Sequence, residues 1–153
     1  MTASSTDLRR EPVAGPALIV RAGLCLLIIM LGLALRGFGF SLGLSAFIVK
    51  YGGSLLWAAM VFFLVAMAAS HLPRLSVVSI AGSIALAVEL FRLVHAPWLD
   101  AFRLTLPGAL LLGRIFSPWN MLAYSVGIAL AVGLDRYAVS IFAARLCAHA
   151  RAR

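Results

Sequence analysis

Four long apolar runs, separated by short stretches that hold most of the charge, set the pattern of this chain. The first, Ala17–Leu35, has nineteen residues, about 28 Å as a helix and enough to cross a hydrocarbon core. Arg21 lies close enough to its start to snorkel to the headgroups. The second, Tyr51–Ala69, carries no charge and lies between Lys50 and the sequence His71-Leu72-Pro73-Arg74. The third starts near Leu75 and stays apolar to Glu89. The fourth opens at Ser117-Pro118 and reaches Asp135-Arg136, with its helix extending towards Ala144. The pattern predicts an all-α integral membrane protein, a bundle of about four transmembrane helices.

The start of the fourth helix follows from local chemistry. Ser117 is a favoured N-cap and Pro118 suits the first helical position. Asn120, Tyr124, Gly127 and Ala131 then share one face. Small residues there permit close helix contact and polar ones bond across it, so this face is expected to point into the bundle. Two stretches fit no span. Residues 37–49 are Gly-rich and too short to cross alone, and Leu104–Leu112 is broken by Pro107-Gly108. Each is expected to lie at the interface or to dip in and return under cover of protein or water. Residues 1–16 mix Ser, Thr, Pro and charge and read as a disordered cytoplasmic tail. Arg9-Arg10 precede Glu11-Pro12 rather than apolar residues, so no export signal is read there. Residues 17–144 are expected to form a single transmembrane helical domain, and 145–153 a basic cytoplasmic tail.

Composition narrows the class. Of 153 residues, 63% are hydrophobic and 12% charged, about half the charged share of a soluble domain. A formal charge of +8 would suggest nucleic acid as a partner of a soluble protein. Here the basic residues are dispersed between apolar blocks as membrane flanks, which argues against nucleic acid. Four spans place both termini on one side. That side holds Arg9, Arg10, Arg21, Arg74, Arg136, Arg145, Arg151 and Arg153, eight of the thirteen basic residues. The positive-inside bias therefore places the termini in the cytoplasm. Cys25 lies in an apolar run and Cys147 in the basic tail, so neither a disulfide nor a zinc site is expected. Nothing calls for a cofactor.

The polar residues gather in "ELFRLVHAPWLDAFR", Glu89 to Arg103. Taken singly, each has a plain explanation: Glu89 pairs with Arg92 and Asp100 with Arg103, both three apart, and Trp98 sits at the water–lipid boundary. Taken together they suggest a site, because ionisable groups at membrane depth face the bundle interior or a water-filled cavity. The expected pocket comprises Lys50, Glu89, Arg92, His95, Trp98, Asp100, Arg103, Arg114, Asn120 and Tyr124. Arg92, Arg103, Arg114 and the start of the fourth helix favour an anion, and a lipid phosphate is the anion most available at that depth. Glu89, His95 and Asp100 match no metal-ligand spacing, so no metal is expected. A triad of His95, Asp100 and Ser117 lacks a nucleophile elbow or oxyanion element. A proton relay through Glu89 and His95 lacks the inverted repeat of a transporter.

"KYGGSLLWAAMVFFL", "VELFRLVHAPWLDAFR" and "LLLGRIFSPWNMLAYSVGIAL" together resemble the bacterial membrane proteins of domain-of-unknown-function family 2809, from about Arg36 to Asp135. The resemblance implies a small helical inner-membrane protein without an assigned activity. More distantly, Lys50, Glu89, Asn120 and Gly127 stand in an order similar to the VanZ-like membrane proteins. Against the pattern of family 2809, Gly53 stands where Asp is expected, Arg92 where Gln is, and Asn120 where Asp is. The implied site is therefore more cationic here, which favours anion binding over acid–base chemistry.

Three functions follow as expectations. The first is a non-enzymatic binder of an anionic lipid or envelope precursor through an outward-facing Arg-rich pocket. The second is an intramembrane enzyme acting on a phosphate or acyl group, with Glu89, His95 or Asp100 as acid or base. The third is a small subunit of a larger membrane complex, with a membrane-protein partner or further copies of itself.

Overall fold

The computed structural model describes residues 14–113 and 116–151. The expected tail before Ala14 therefore lies outside the described residues. The helices are α1 (Ala14–Phe38), α2 (Ala46–Ala68), α3 (Arg74–Phe91), α4 (Pro97–Leu104), α5 (Leu106–Leu111) and α6 (Pro118–Arg151). In α1, α2, α3 and α6, a stretch is long and apolar enough to cross a membrane. The described chain is an all-α membrane bundle.

Helix ends follow local chemistry. Ser45 caps α2, its hydroxyl accepting from Ile48 N, and Thr105 caps α5 by accepting from Gly108 N. Pro97 and Pro107 sit in the first turns of α4 and α5, where the missing N–H is not needed. Short connections between α1, α2 and α3 make neighbours antiparallel. α4 and α5 lie in the link from the end of α3 to the start of α6.

The bundle centres on α2, which packs on α1, α3 and α6. Ala58, Ala59, Phe62, Phe63 and Ala66 of α2 are buried. On α3 the buried residues are Val77, Ala81, Ala85 and Glu89, four apart and so on one face. On α6 they include Asn120, Tyr124, Gly127, Ile128, Ala131 and Asp135. The expected inward face of the fourth span is thus the one observed. Small residues on these faces bring the backbones close. At Gly127 a Cβ would run into the carbonyl oxygen of Leu55 on α2, so only glycine permits that approach.

Several boundaries differ from expectation. The 37–49 stretch is no separate element: it is shared between the end of α1, a turn, and the first turn of α2. Its glycines Gly39 and Gly43 lie in the turn that connects the two spans. Residues 104–112 fold largely into α5. Ala14–Pro16, assigned to the tail, are helical, and α6 runs on to Arg151 through most of the expected basic tail. Arg21 does not simply snorkel. Its Nε donates to Asp135 Oδ1 at 2.7 Å, its second guanidinium nitrogen to Oδ2 at 3.1 Å, and its third to the Ala66 carbonyl at 3.0 Å. Asp135, at the end of the fourth apolar run, is buried mid-helix at 1% exposure. Arg74 approaches the same carboxylate at 3.9 Å. This knot joins α1, α2, α3 and α6 at one end of the bundle.

Gly127→Val should lower the stability of the bundle by about 1–3 kcal/mol through overpacking. Reversible unfolding in mixed micelles checks this, and wild-type stability would show that α2 and α6 do not meet there.

Candidate functional site

The polar cluster at the opposite end is built around Glu89, in the last turn of α3 and fully buried at 0% exposure. A carboxylate in that position must fill its acceptor sites from within the protein. Oε1 accepts from Ser117 N at 2.7 Å and Asn120 Nδ2 at 3.2 Å. Oε2 accepts from the Arg92 guanidinium at 2.6 Å, Tyr124 Oη at 2.8 Å and Asn120 Nδ2 at 3.3 Å. Asn120 Oδ1 in turn accepts from Ser54 Oγ of α2 at 3.1 Å. One carboxylate therefore ties α3 to α6 directly and to α2 through a single amide. Ser117 contributes differently from its expected role. Its hydroxyl lies 3.4 Å from Tyr51 Oη, and its carbonyl accepts from Asn120 N.

Arg92 is held from two sides. Besides Glu89, its Nε donates to the Leu112 carbonyl at 2.6 Å. The chain at Leu112-Gly113 wraps the guanidinium closely: a Cβ at Gly113 would come within 2.7 Å of the guanidinium carbon, and φ there is +66°. Glycine is the residue that both conditions favour.

Beside this cluster opens a cavity of about 370 Å³. Arg36 from the last turn of α1, Lys50 from the start of α2 and Arg92 supply cationic groups to its lining. Val49, Trp57, Ala109 and Leu110 contribute apolar wall, and Ser54, Asn120 and Tyr124 polar atoms. Among the described residues no carboxylate lines it, and neither Arg36 nor Lys50 has a carboxylate partner. Trp57 packs on Tyr124 with ring centroids 5.6 Å apart, and its Nε1 is buried without a hydrogen-bond partner. A buried orphan donor of this kind calls for an explanation, and an acceptor supplied by a ligand is one.

The expected pocket divides in two. Lys50, Arg92, Asn120 and Tyr124 line the cavity, with Glu89 directly behind them. His95, Asp100 and Arg103 gather at a separate depression on α4 and the turn before it. Arg103 does not join the cavity. Its guanidinium donates to the carbonyls of Phe91 at 2.7 Å and Val94 at 2.8 Å, and to Asp100 at 3.1 Å. It closes the C-terminal end of α3, where free carbonyls attract a cation. His95 lies 3.5 Å from Asp100, the imidazole exposed and the carboxylate half-buried, and Trp98 is 71% exposed. Arg114 lies outside the described residues. Arg36, Ser54 and Trp57 were missed: each sits in or beside an apolar run, and only the packing of α1 and α2 on α6 gives them a role. Among the described residues no group of three or more His, Cys, Asp or Glu comes together to hold a metal.

Over residues 43–128 the sequence matches the family described as Protein of unknown function (DUF2809). The chain belongs to this family. No solved structure matches it. The DUF2809 match takes in every residue named in this cluster and cavity except Arg36, and it leaves out Arg21 and Asp135 of the other end. Gly53, Arg92 and Asn120, the three positions read as departures from the family pattern, all line the one cavity.

Gly113→Val should strain the backbone and push Arg92 off Leu112, at a combined cost of about 1–3 kcal/mol. Unfolding of this variant checks the effect. Unchanged stability would mean that the turn does not grip Arg92.

Proposed function

We propose that this protein is a non-enzymatic binder of an anionic amphiphile, a lipid or an envelope precursor, in a bacterial inner membrane. Its termini are cytoplasmic and its cavity opens outward, in keeping with the eight basic residues on one side and five on the other. The observation that carries the reading is the lining of the cavity. Arg36 and Lys50 lack carboxylate partners among the described residues, Arg92 stands beside them, and the rest of the wall is largely apolar. A phosphate or carboxylate headgroup suits that charge, and charge-assisted hydrogen bonds to it are the strong ones.

The same geometry weakens the acid–base reading. Glu89 is enclosed by donors on both oxygens, so it is engaged within the protein and offers no free face to a substrate. Anion binding needs only what Arg36 and Lys50 already present.

Native mass spectrometry of the mildly extracted protein tests this. The wild type should retain an anionic lipid, and the Arg36→Glu/Lys50→Glu double variant should lose most of it. Arg74→Ala, at the other end of the bundle, should retain it. Equal retention in the wild type and the double variant would end the reading.

A further inference from the structure

The charged cavity does not stop at its apolar wall. A second, smaller cavity of about 140 Å³ adjoins it between α1, α2 and α5. The two share Arg36, Gly53, Trp57 and Leu110. Beyond those shared residues the lining is apolar, with Ile28, Gly32 and Met60 among it. Ile28, Gly32 and Arg36 are four apart on α1, and Gly53, Trp57 and Met60 recur at helical spacing on α2, so each helix gives one face to the track. Leu110 of α5 walls both cavities. From Arg36 to Ile28 the track descends about 12 Å along α1, and from Lys50 to Met60 about 15 Å along α2. It therefore runs parallel to the helices from the charged end towards the middle of the bilayer, as a lipid chain does.

We propose that these joined cavities form one site for a single-file acyl or isoprenyl chain. Its anionic headgroup is held at Arg36, Lys50 and Arg92, and the upper chain lies against Trp57 between Gly53 and Leu110. The proposal rests on the headgroup reading above and adds the chain. Charge complementarity selects the occupant: the apolar track meets the cations at its Arg36 end, so an apolar ligand without an anionic end leaves them unmatched. Chain burial itself gives little selectivity, because bilayer tails are as apolar as the groove. Headgroup pairing and close packing supply it. Gly53 is the gate of the track. A Cβ there meets nothing within 4 Å, so a larger side chain at this position enters the open passage without striking the protein.

The test uses a variant in which Trp98 and Trp119 are replaced by Phe, leaving Trp57 as the fluorophore. It is placed in phosphatidylcholine nanodiscs containing a small fraction of phosphatidylglycerol brominated in the upper acyl chain. Bromine quenches indole only at close range. Trp57 emission should fall by more than half, and far less with brominated phosphatidylcholine at the same fraction. Gly53→Leu in this background should abolish most of the difference, and Leu110→Phe, which narrows the passage from its other wall, should reduce it too. Native mass spectrometry should still find phosphatidylglycerol on both, because the charged end is intact. Equal quenching by the two lipids, or quenching untouched by both variants, overturns the chain track. If phosphatidylglycerol remains bound in that case, the headgroup reading survives alone. If Arg36→Glu/Lys50→Glu changes neither retention nor quenching, the headgroup reading fails and the track with it.

Discussion

A carboxyl group buried at the end of a membrane helix governs this structure. Water is not available to Glu89, so each of its lone pairs must find a donor in the protein. The donors come from Arg92 in the next turn, from the backbone at the start of α6, and from Asn120 and Tyr124 on the inward face of α6. To deliver them, α6 must begin beside the end of α3 and turn one particular face inward. The fold and the polar cluster are therefore parts of one solution. A neutral residue at 89 would relax the requirement and leave Arg92, Asn120 and the Ser117 N–H without their shared partner.

The other end of the bundle repeats the constraint with different residues. Asp135 is buried and clasped by Arg21 through two nitrogens, with the third on the Ala66 carbonyl. Asn120 and Asp135 are separated by fifteen residues of α6, about 22 Å along the axis, less than the roughly 30 Å of a hydrocarbon core. The two knots thus fall within about one core thickness of each other, with small and aromatic residues packed between them. Their ends differ in one respect. At the Glu89 end, the charge on the cavity side exceeds what the carboxylate neutralises, since Arg36 and Lys50 stand there in addition to Arg92. That surplus gives the Glu89 end its proposed role.

Much of the fold was legible in the sequence because it is written in local pattern. Apolar length marked the spans, and the spacing of Asn120, Tyr124, Gly127 and Ala131 marked the inward face of α6. The pairings of Glu89 with Arg92 and Asp100 with Arg103 follow from a separation of three residues. What was not legible depends on contacts between distant helices. Arg21 and Asp135 are 114 residues apart, and nothing local to either indicates the other. Arg103 resembled a ligand-binding arginine because sequence shows its charge but not the α3 carbonyls that occupy it. Trp57 read as one apolar residue among many, and its orphan N–H exists only once α2 packs against α6. The expected pocket therefore reached to α4, where His95, Asp100 and Arg103 sit at a separate depression, and left out the α1 wall of the cavity.

Glu89 acts as the shared acceptor that fastens α6 to α3. A double-mutant cycle between Glu89→Gln and Tyr124→Phe, read by reversible unfolding in mixed micelles, tests it most directly. Residues in one hydrogen-bond network couple by about 0.5–3 kcal/mol, and a bond to a charged group belongs in the upper part of that range. The account predicts a coupling above about 1 kcal/mol. Losses that add to within about 0.3–0.5 kcal/mol would contradict it, and would mean that α6 is held to α3 by apolar packing alone.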